Sequence, residues 1–278
     1  MASKNITMRL TRGFSSLPKR TTRPFQVAID GPAASGKSTT AKMVAQRLGF
    51  DYIDTGAFYR CVTLAALTKG LDPSNPSQAA QISRLAQSSH IGLKTVFSTS
   101  PTSSSPSSSF NKLSLPTTQV FLDNKDVSLE IRTGTVSKHV SAIAAIGPVR
   151  EAVLQKVRDM GATSEGSDSE RDGLVMDGRD IGTVVLPNAD LKIFLVADSR
   201  VRAERRLQEL AKNGGSGSEE VLDVETVQKD LERRDELDRT RKVSPLRKAD
   251  DAVELDTSHL TIDGQVDAIV QEVHRRQA

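Results

Sequence analysis

Three features of this 278-residue chain predict an α/β fold built on a parallel sheet. Short strand-like runs alternate with stretches of helical spacing. Two of those runs, LVMDG (174–178) and LKIFLVA (191–197), are almost continuously apolar, as strands covered on both faces are. The segment GPAASGKS (31–38) also matches the pattern G-x-x-x-x-G-K-[ST], placed between a strand candidate and a helical pattern.

Taken in order, FQVAID (25–30) is the first strand of the body. KSTTAKMVAQRLGF follows with Ala41, Val44, Ala45 and Leu48 at helical spacing and Gly49 as terminator. DYIDTG gives a second strand, AFYRCVTLAALTKG a helix ending at Gly70, and SQAAQISRLAQSS another helix. IGLKTVF (91–97) and TTQVFLD (117–123) read as strands. Between them lies a Ser-rich stretch whose composition predicts a disordered surface insertion over 98–118. GATSEGSDSERDG (161–173) and NGGSGS (213–218) read as further loop expansions. Helices are predicted over roughly 133–146, 148–160, 199–212, 221–240 and 262–276, with a last strand inside ADDAVEL. The chain shows no internal repeat.

Composition excludes several classes. No stretch holds the 18 or more consecutive apolar residues of a membrane span. The one cysteine, Cys61, precludes an internal disulfide and sits in an Ala/Leu-rich helical pattern that suits packing. The basic balance is local: Lys4, Arg9, Arg12, Lys19, Arg20 and Arg23 precede the first acid, Asp30. Removing those six charges from the formal +3 leaves the body at about −3, which argues against a nucleic-acid surface. Residues 1–25 are Arg-, Ser- and Thr-rich and free of acids, as in a mitochondrial presequence, and TRGFSS resembles a matrix-processing site; a basic tail on a cytoplasmic protein is the other reading.

The Gly-rich loop carries the most specific chemistry. Gly31 and Gly36 let the backbone bend so that successive N–H groups converge on phosphate oxygens, and the following helix adds its dipole. Gly31, Pro32, Ala33, Ala34, Ser35, Gly36, Lys37, Ser38 and Thr39 are therefore the predicted ATP cradle, with Lys37 at the β/γ-phosphates and Ser38 as an oxygen ligand of Mg²⁺. A GTPase should also carry Asn-Lys-x-Asp; NKDV (124–127) has Val127 where the aspartate belongs. No apolar strand ends in Asp-Glu, as a motor or transport ATPase would require. A small kinase acting on a second bound molecule is what remains.

Such a reaction needs fixed positive charge, and arginine supplies it bidentately. Candidates are Arg60, Arg150, Arg179 within VMDGRDIGTVV (175–185), the run RAERR (202–206), and RRDELDRTR (233–241). Arg234, Asp238 and Arg241 share one helical face, with Asp238 spaced to orient both arginines or to contact a ligand; a solvated, ion-paired face is the competing reading. The Asp177-Gly-Arg-Asp180 run could likewise be an ordinary turn with an internal ion pair.

With these residues in view, the chain resembles the bacterial-type cytidylate kinases. The segments AIDGPAASGKST, YIDTGAFYR, LEIRT, VREAVL, DGRDIGTVV, LKIFL and RRDELDRTRKVSPL carry the likeness across the body from about residue 26. The resemblance implies a P-loop sheet flanked by helices, with an inserted nucleoside-monophosphate-binding subdomain at about 77–142 and a helical lid at about 199–220. It implies transfer of the ATP γ-phosphate to CMP or dCMP with Mg²⁺, in a monomer that binds neither nucleic acid nor membrane. By the same likeness, Lys37, Arg179, Arg241 and Asp177 are catalytic, and Asp177 orders Arg179 or the magnesium waters. Thr55, Arg60, Arg179 and Arg241 meet the acceptor phosphate; Ser141, Arg150 and Asp180 read the cytosine edge. Arg234 and Asp238 lie near the sugar, and Arg202, Arg205 and Arg206 belong to the lid over ATP. Gly134-Thr135 and SKHV (137–140), before Ser141, depart from the family's commoner small, polar residues. A P-loop kinase for another small acceptor (UMP, shikimate or a nucleoside) and a nucleotide-binding regulator without catalysis are the rival readings. An acceptor without a phosphate has no use for converging arginines, and a regulator would be expected to lack Lys37 or those arginines.

Overall fold

The computed structural model describes residues 23–97, 116–166, 172–212 and 223–278. In chain order the elements are β1 (Phe25–Asp30), α1 (Lys37–Leu48), β2 (Asp51–Asp54), α2 (Thr55–Thr68), α3 (Ala79–Ser88), β3 (Ile91–Val96), β4 (Thr117–Leu122), β5 (Lys125–Asp126), α4 (Gly134–Ala145) and α5 (Gly147–Gly166). There follow β6 (Gly173–Gly178), a π-helical turn (Ile181–Val185), β7 (Leu191–Val196), α6 (Ser199–Lys212), α7 (Val224–Thr240), β8 (Val253–Asp256) and α8 (Ile262–Gln277). No described helix is long and apolar enough to cross a membrane.

Strand alternation builds the main sheet. On β1, Val27 and Ile29 turn to one face and Ala28 to the other. The first face packs against Ala41, Val44 and Ala45 of α1 and Val266, Ile269 and Val273 of α8. The second packs against Ala57, Phe58 and Val62 of α2 and Val149, Val153 and Val157 of α5, continuous with Ile82 of α3, Val120 of β4 and Ile143 of α4. The sheet is parallel in the order β2-β6-β1-β7-β8, so the predicted fold class holds. Placing β6 beside β1 brings the loop after β1 next to the Asp177–Asp180 segment, at the carboxyl edge where open α/β sheets bind ligands.

A second sheet is antiparallel, in the order β3-β4-β5. Asp123 and Asn124 both adopt positive φ (49° and 69°), the backbone of a two-residue hairpin turn. NKDV is therefore hairpin structure, with Val127 buried in the core.

Two sequence expectations shift, and one element is new. The helix predicted to stop at 160 continues to Gly166, into a stretch read as loop; extending a formed helix adds a hydrogen bond per residue without a new nucleation cost. Residues 116–118, inside the stretch predicted disordered, belong to an ordered segment: β4 begins at Thr117, and Thr118 is buried with its Oγ1 3.2 Å from that of Thr95. The π turn has no counterpart in the sequence reading. Most of the leader (1–22), the rest of the Ser-rich stretch (98–115), much of the predicted 161–173 loop (167–171) and residues 213–222 lie outside the described residues.

Gly31 tests the packing of the sheet edge. Its φ is 149°, and a Cβ there would stand 2.2 Å from the Leu195 carbonyl oxygen. Gly70 has φ 69° with nothing within 4 Å of such a Cβ. Gly70→Ala should cost only the left-handed penalty of about 1–2 kcal/mol, whereas Gly31→Ala should lower the thermal unfolding midpoint by clearly more. Equal shifts would refute this account of the edge.

Candidate active site

The loop after β1 wraps the start of α1. Lys37 is buried, and its Nζ donates to the Pro32 carbonyl (2.5 Å) and Ser35 Oγ (3.3 Å). Burial, then the nearby Arg179, pushes this ammonium down to about 7. An anion in the loop would offset both effects.

Asp177 ends β6 beside this loop. Its two carboxylate oxygens accept from Ser38 Oγ and Tyr52 Oη, each at 2.7 Å, and its carbonyl accepts from Thr55 Oγ1 at 2.7 Å. Burial, then Asp54, raises its carboxyl to about 6. Register explains the second cause: Asp54 of β2 pairs with Asp177 of β6. Of the two roles read for Asp177, the contacts favour the one beside Ser38, because Arg179 is held elsewhere. Among the described residues no three His, Cys, Asp or Glu side chains cluster as a metal cage. A hydroxyl and a carboxylate at the phosphate loop suit a hard cation that takes its remaining ligands from phosphate and water.

The arginines fall into two groups. Arg60 Nη1 donates to the Ile131 carbonyl (3.0 Å) and Ser137 Oγ (2.9 Å); Arg206 Nη2 reaches the same hydroxyl (3.2 Å) while its Nη1 pairs with Glu209 (2.7 Å). Arg179 Nε pairs with Asp238 Oδ2 at 2.9 Å. Arg234 joins them: burial, then Arg60, Arg179 and Arg206, pushes it down to about 10, and its buried Nε has no hydrogen-bond partner. Four guanidiniums thus converge in the cleft that Lys37 also lines, with Arg179 the one that acts on Lys37, an arrangement made for an anion.

The second group reads differently. Arg150 forms a buried ion pair with Asp180, donates to the Ala144 carbonyl (3.1 Å) and lies over the Tyr59 ring, 5.2 Å from its centroid. Arg241 donates to the Ser244 carbonyl (2.7 Å) and pairs with Asp238 (3.4 Å) and Asp180 (4.0 Å). The structure therefore groups Arg234, not Arg241, with Arg60 and Arg179. Asp180 is aimed by the π turn, whose first two N–H groups, on Ile181 and Gly182, donate to the buried Asp30 at 2.8 and 2.7 Å. Burial raises Asp30 to about 6 against those two hydrogen bonds, which lower it.

Both groups line one cleft of about 770 Å³. Of the sequence-predicted residues, Ala33, Ala34, Ser35, Gly36, Lys37, Ser38, Thr39, Thr55, Arg60, Ser141, Arg150, Asp177, Arg179, Asp180, Arg205, Arg206, Arg234, Asp238 and Arg241 line it. Gly31 and Pro32 sit at the root of the loop. Arg202, read as a lid residue over ATP, stands behind the loop, paired with Asp235 and not lining the cleft. Sequence reasoning missed Asp30, Tyr52, Ser137, Glu209 and Asp235. Asp30, Tyr52 and Asp235 lie inside the quoted motifs, but nothing in spacing distinguished them there.

The cytidylate kinase family profile matches residues 27–275. The chain is 43% identical over 256 residues to the cytidylate kinase of Chloroherpeton thalassium, spanning 92% of this chain and 96% of that protein. Against the cytidylate kinase of Bacillus subtilis it is 39% identical over 254 residues, 91% and 98% of the two chains.

Two predictions follow from the partners. Ser137→Ala removes the acceptor shared by Arg60 and Arg206 and should raise the KM for the acceptor substrate about tenfold or more while leaving ATP binding near normal by calorimetry, consistent with about 1.5–3 kcal/mol for a charge-assisted hydrogen bond. An unchanged acceptor KM would show that the two guanidiniums need no tether. For Asp30, the folded chain keeps a proton between about pH 4 and 6 that the unfolded chain has released; its contribution is full below 3.8 and lost as pH rises through about 6. Urea unfolding at about pH 4.5 and 7 should accordingly show a smaller pH dependence for Asp30→Asn than for the parent chain. Identical slopes would rule out the raised carboxyl.

Proposed function

The chain belongs to the cytidylate kinase family, and from that premise we propose how its cleft moves the γ-phosphate of ATP onto CMP or dCMP, giving ADP and CDP or dCDP. The observation that carries this reading is the convergence of Arg60, Arg179, Arg206 and Arg234 opposite the phosphate loop. A second, phosphate-bearing substrate explains it; an acceptor without a phosphate does not.

ATP rests its triphosphate on residues 31–39, with loop N–H groups and the α1 dipole facing the phosphates. Lys37 swings from the Pro32 carbonyl to the β/γ-phosphates. The acceptor phosphate lies among Arg60, Arg179 and Arg234 beside Thr55, with Arg206 reaching in from α6. The base faces Ser141, Arg150 and Asp180, and Asp238 and Arg241 flank the sugar. Ser38 and Asp177 would hold Mg²⁺, which when bound would supply positive charge against the charge developing on the phosphates.

No side chain acts as a covalent nucleophile. The attacking phosphate oxygen is already anionic, so general-base help adds little. The chain's contribution is alignment of two phosphates and charge placed before reaction. Segments at about 77–142 and 199–220 serve as acceptor-binding insertion and lid in this reading, and the chain works as a monomer. A mitochondrial destination rests on the composition of residues 1–25 alone; the relatives matched are bacterial proteins.

The test is ADP release by the full chain from ATP and Mg²⁺ across CMP, dCMP, UMP, AMP and shikimate. Turnover with CMP and dCMP is expected, with Lys37→Ala and Arg179→Ala each lowering it about 100-fold or more at unchanged thermal midpoint. Turnover with shikimate but not CMP, or near-normal turnover in either variant, would refute the assignment.

A further inference from the structure

We infer that Arg202 and Asp235 form a positioning pair for the donor nucleotide, acting on the phosphate loop from behind and not touching ATP. The inference rests on the kinase reading above. Arg202 of α6 and Asp235 of α7 are 5% and 1% exposed, and Nη1 meets Oδ2 at 2.5 Å. Both members also grip one residue of the loop. Asp235 Oδ1 accepts from the Ala33 N–H at 2.9 Å, and Arg202 Nη1 donates to the Ala33 carbonyl at 3.1 Å. Arg202 Nε donates in turn to the Ala197 carbonyl at 3.1 Å, just past β7. Both backbone polar groups of Ala33 are thereby committed to the two helices.

Packing reinforces the grip. Ala33 joins Ala203, Val227 and Leu231 in a small core of its own, with Leu207 and Val224 against it. The next residue, Ala34, holds φ 58°, a left-handed backbone that costs an L-residue about 1–2 kcal/mol and needs its surroundings to maintain it. Clamping Ala33 on both sides fixes where that bend occurs. The same helix presents Arg205 and Arg206 to the cleft, so one ion pair sets the cradle and the lid arginines in register. A buried charge left alone is strongly unfavourable, so neither partner can slide independently.

A packing role alone would lower stability without favouring either substrate. A positioning role should act on the donor. In the full chain, Asp235→Asn keeps the shape and an oxygen for the Ala33 N–H but removes the charge. It should raise the KM for ATP about tenfold, the scale of one charge-assisted hydrogen bond, with the KM for CMP within twofold. Calorimetric ATP affinity without CMP should fall by the same factor, and Arg202→Lys, which keeps the charge without the fork, should fall between. A volume-matched Arg202→Met/Asp235→Leu pair, which can preserve a fold, should show the same donor-specific loss if Asp235→Asn does not fold. Equal changes in both KM values, an ATP KM within twofold of the parent, or loss of folded protein in all three variants would overturn the inference. Absence of CMP-dependent ADP release in the parent chain would instead refute the kinase reading, while ATP calorimetry would still decide the pair.

Discussion

Phosphoryl transfer between two anions requires positive charge gathered out of water, and gathered positive charge repels itself. That conflict organises the cleft. Arg60, Arg179, Arg206 and Arg234 stand close enough that the neighbours of Arg234 depress its basicity after burial does, and Lys37 is depressed by burial and Arg179. The fold resolves the conflict with few acids. Asp238 serves Arg179 and Arg241, Asp180 serves Arg150 and Arg241, Glu209 serves Arg206, and a neutral hydroxyl, that of Ser137, bridges Arg60 and Arg206. Adding more carboxylates would quiet the repulsion but spoil the site for phosphate. The residual positive field is thus retained where the substrates react, and the stability it forgoes comes from the two apolar faces of the sheet.

Strand order converts those faces into a reaction geometry. Because β1 lies between β6 and β7, the phosphate loop and the Asp177–Asp180 segment leave the sheet side by side. Backbone contacts then lock the edges: Thr55 Oγ1 on the Asp177 carbonyl joins the start of α2 to the end of β6, and Asp30 at the end of β1 holds the π turn. Residues drawn from four elements meet without a flexible connection between them.

What the sequence made legible follows from this chemistry. Lys37 and Ser38 were readable because a phosphate loop tolerates few alternatives at fixed spacing. The strands FQVAID and LKIFLVA were readable because burial on both faces leaves them apolar. The partners that aim the catalytic groups were not. Asp30, Tyr52, Ser137 and Asp235 reach across elements, and which acid meets which arginine depends on helix placement that local pattern does not encode. Arg234 lies within α7 while Arg241 caps its end in an extended conformation, and the two take different neighbours around Asp238. Arg202 looked equivalent to Arg205 and Arg206 in RAERR, and at i, i+3 it neighbours Arg205 on the helix; only the docking of α6 against α7 and the phosphate loop gives it Asp235 and Ala33 as partners. The extension of α5 escaped notice for a simpler reason: Gly161 and the polar residues after it have weak helical preference, which propagation overrides.

The carboxylate of Asp180 sits between Arg150 and Arg241, with all three side chains nearly out of contact with solvent. A single replacement there by a neutral residue would take the paired carboxylate from Arg150, leaving it the Ala144 carbonyl, while Arg241 keeps Asp238. One substitution at this position therefore carries a penalty to the fold itself, because a buried guanidinium is left short of its partner. A tolerated change at Asp180 is expected to need a matching replacement at Arg150, so the two positions constrain each other more than either constrains Arg241.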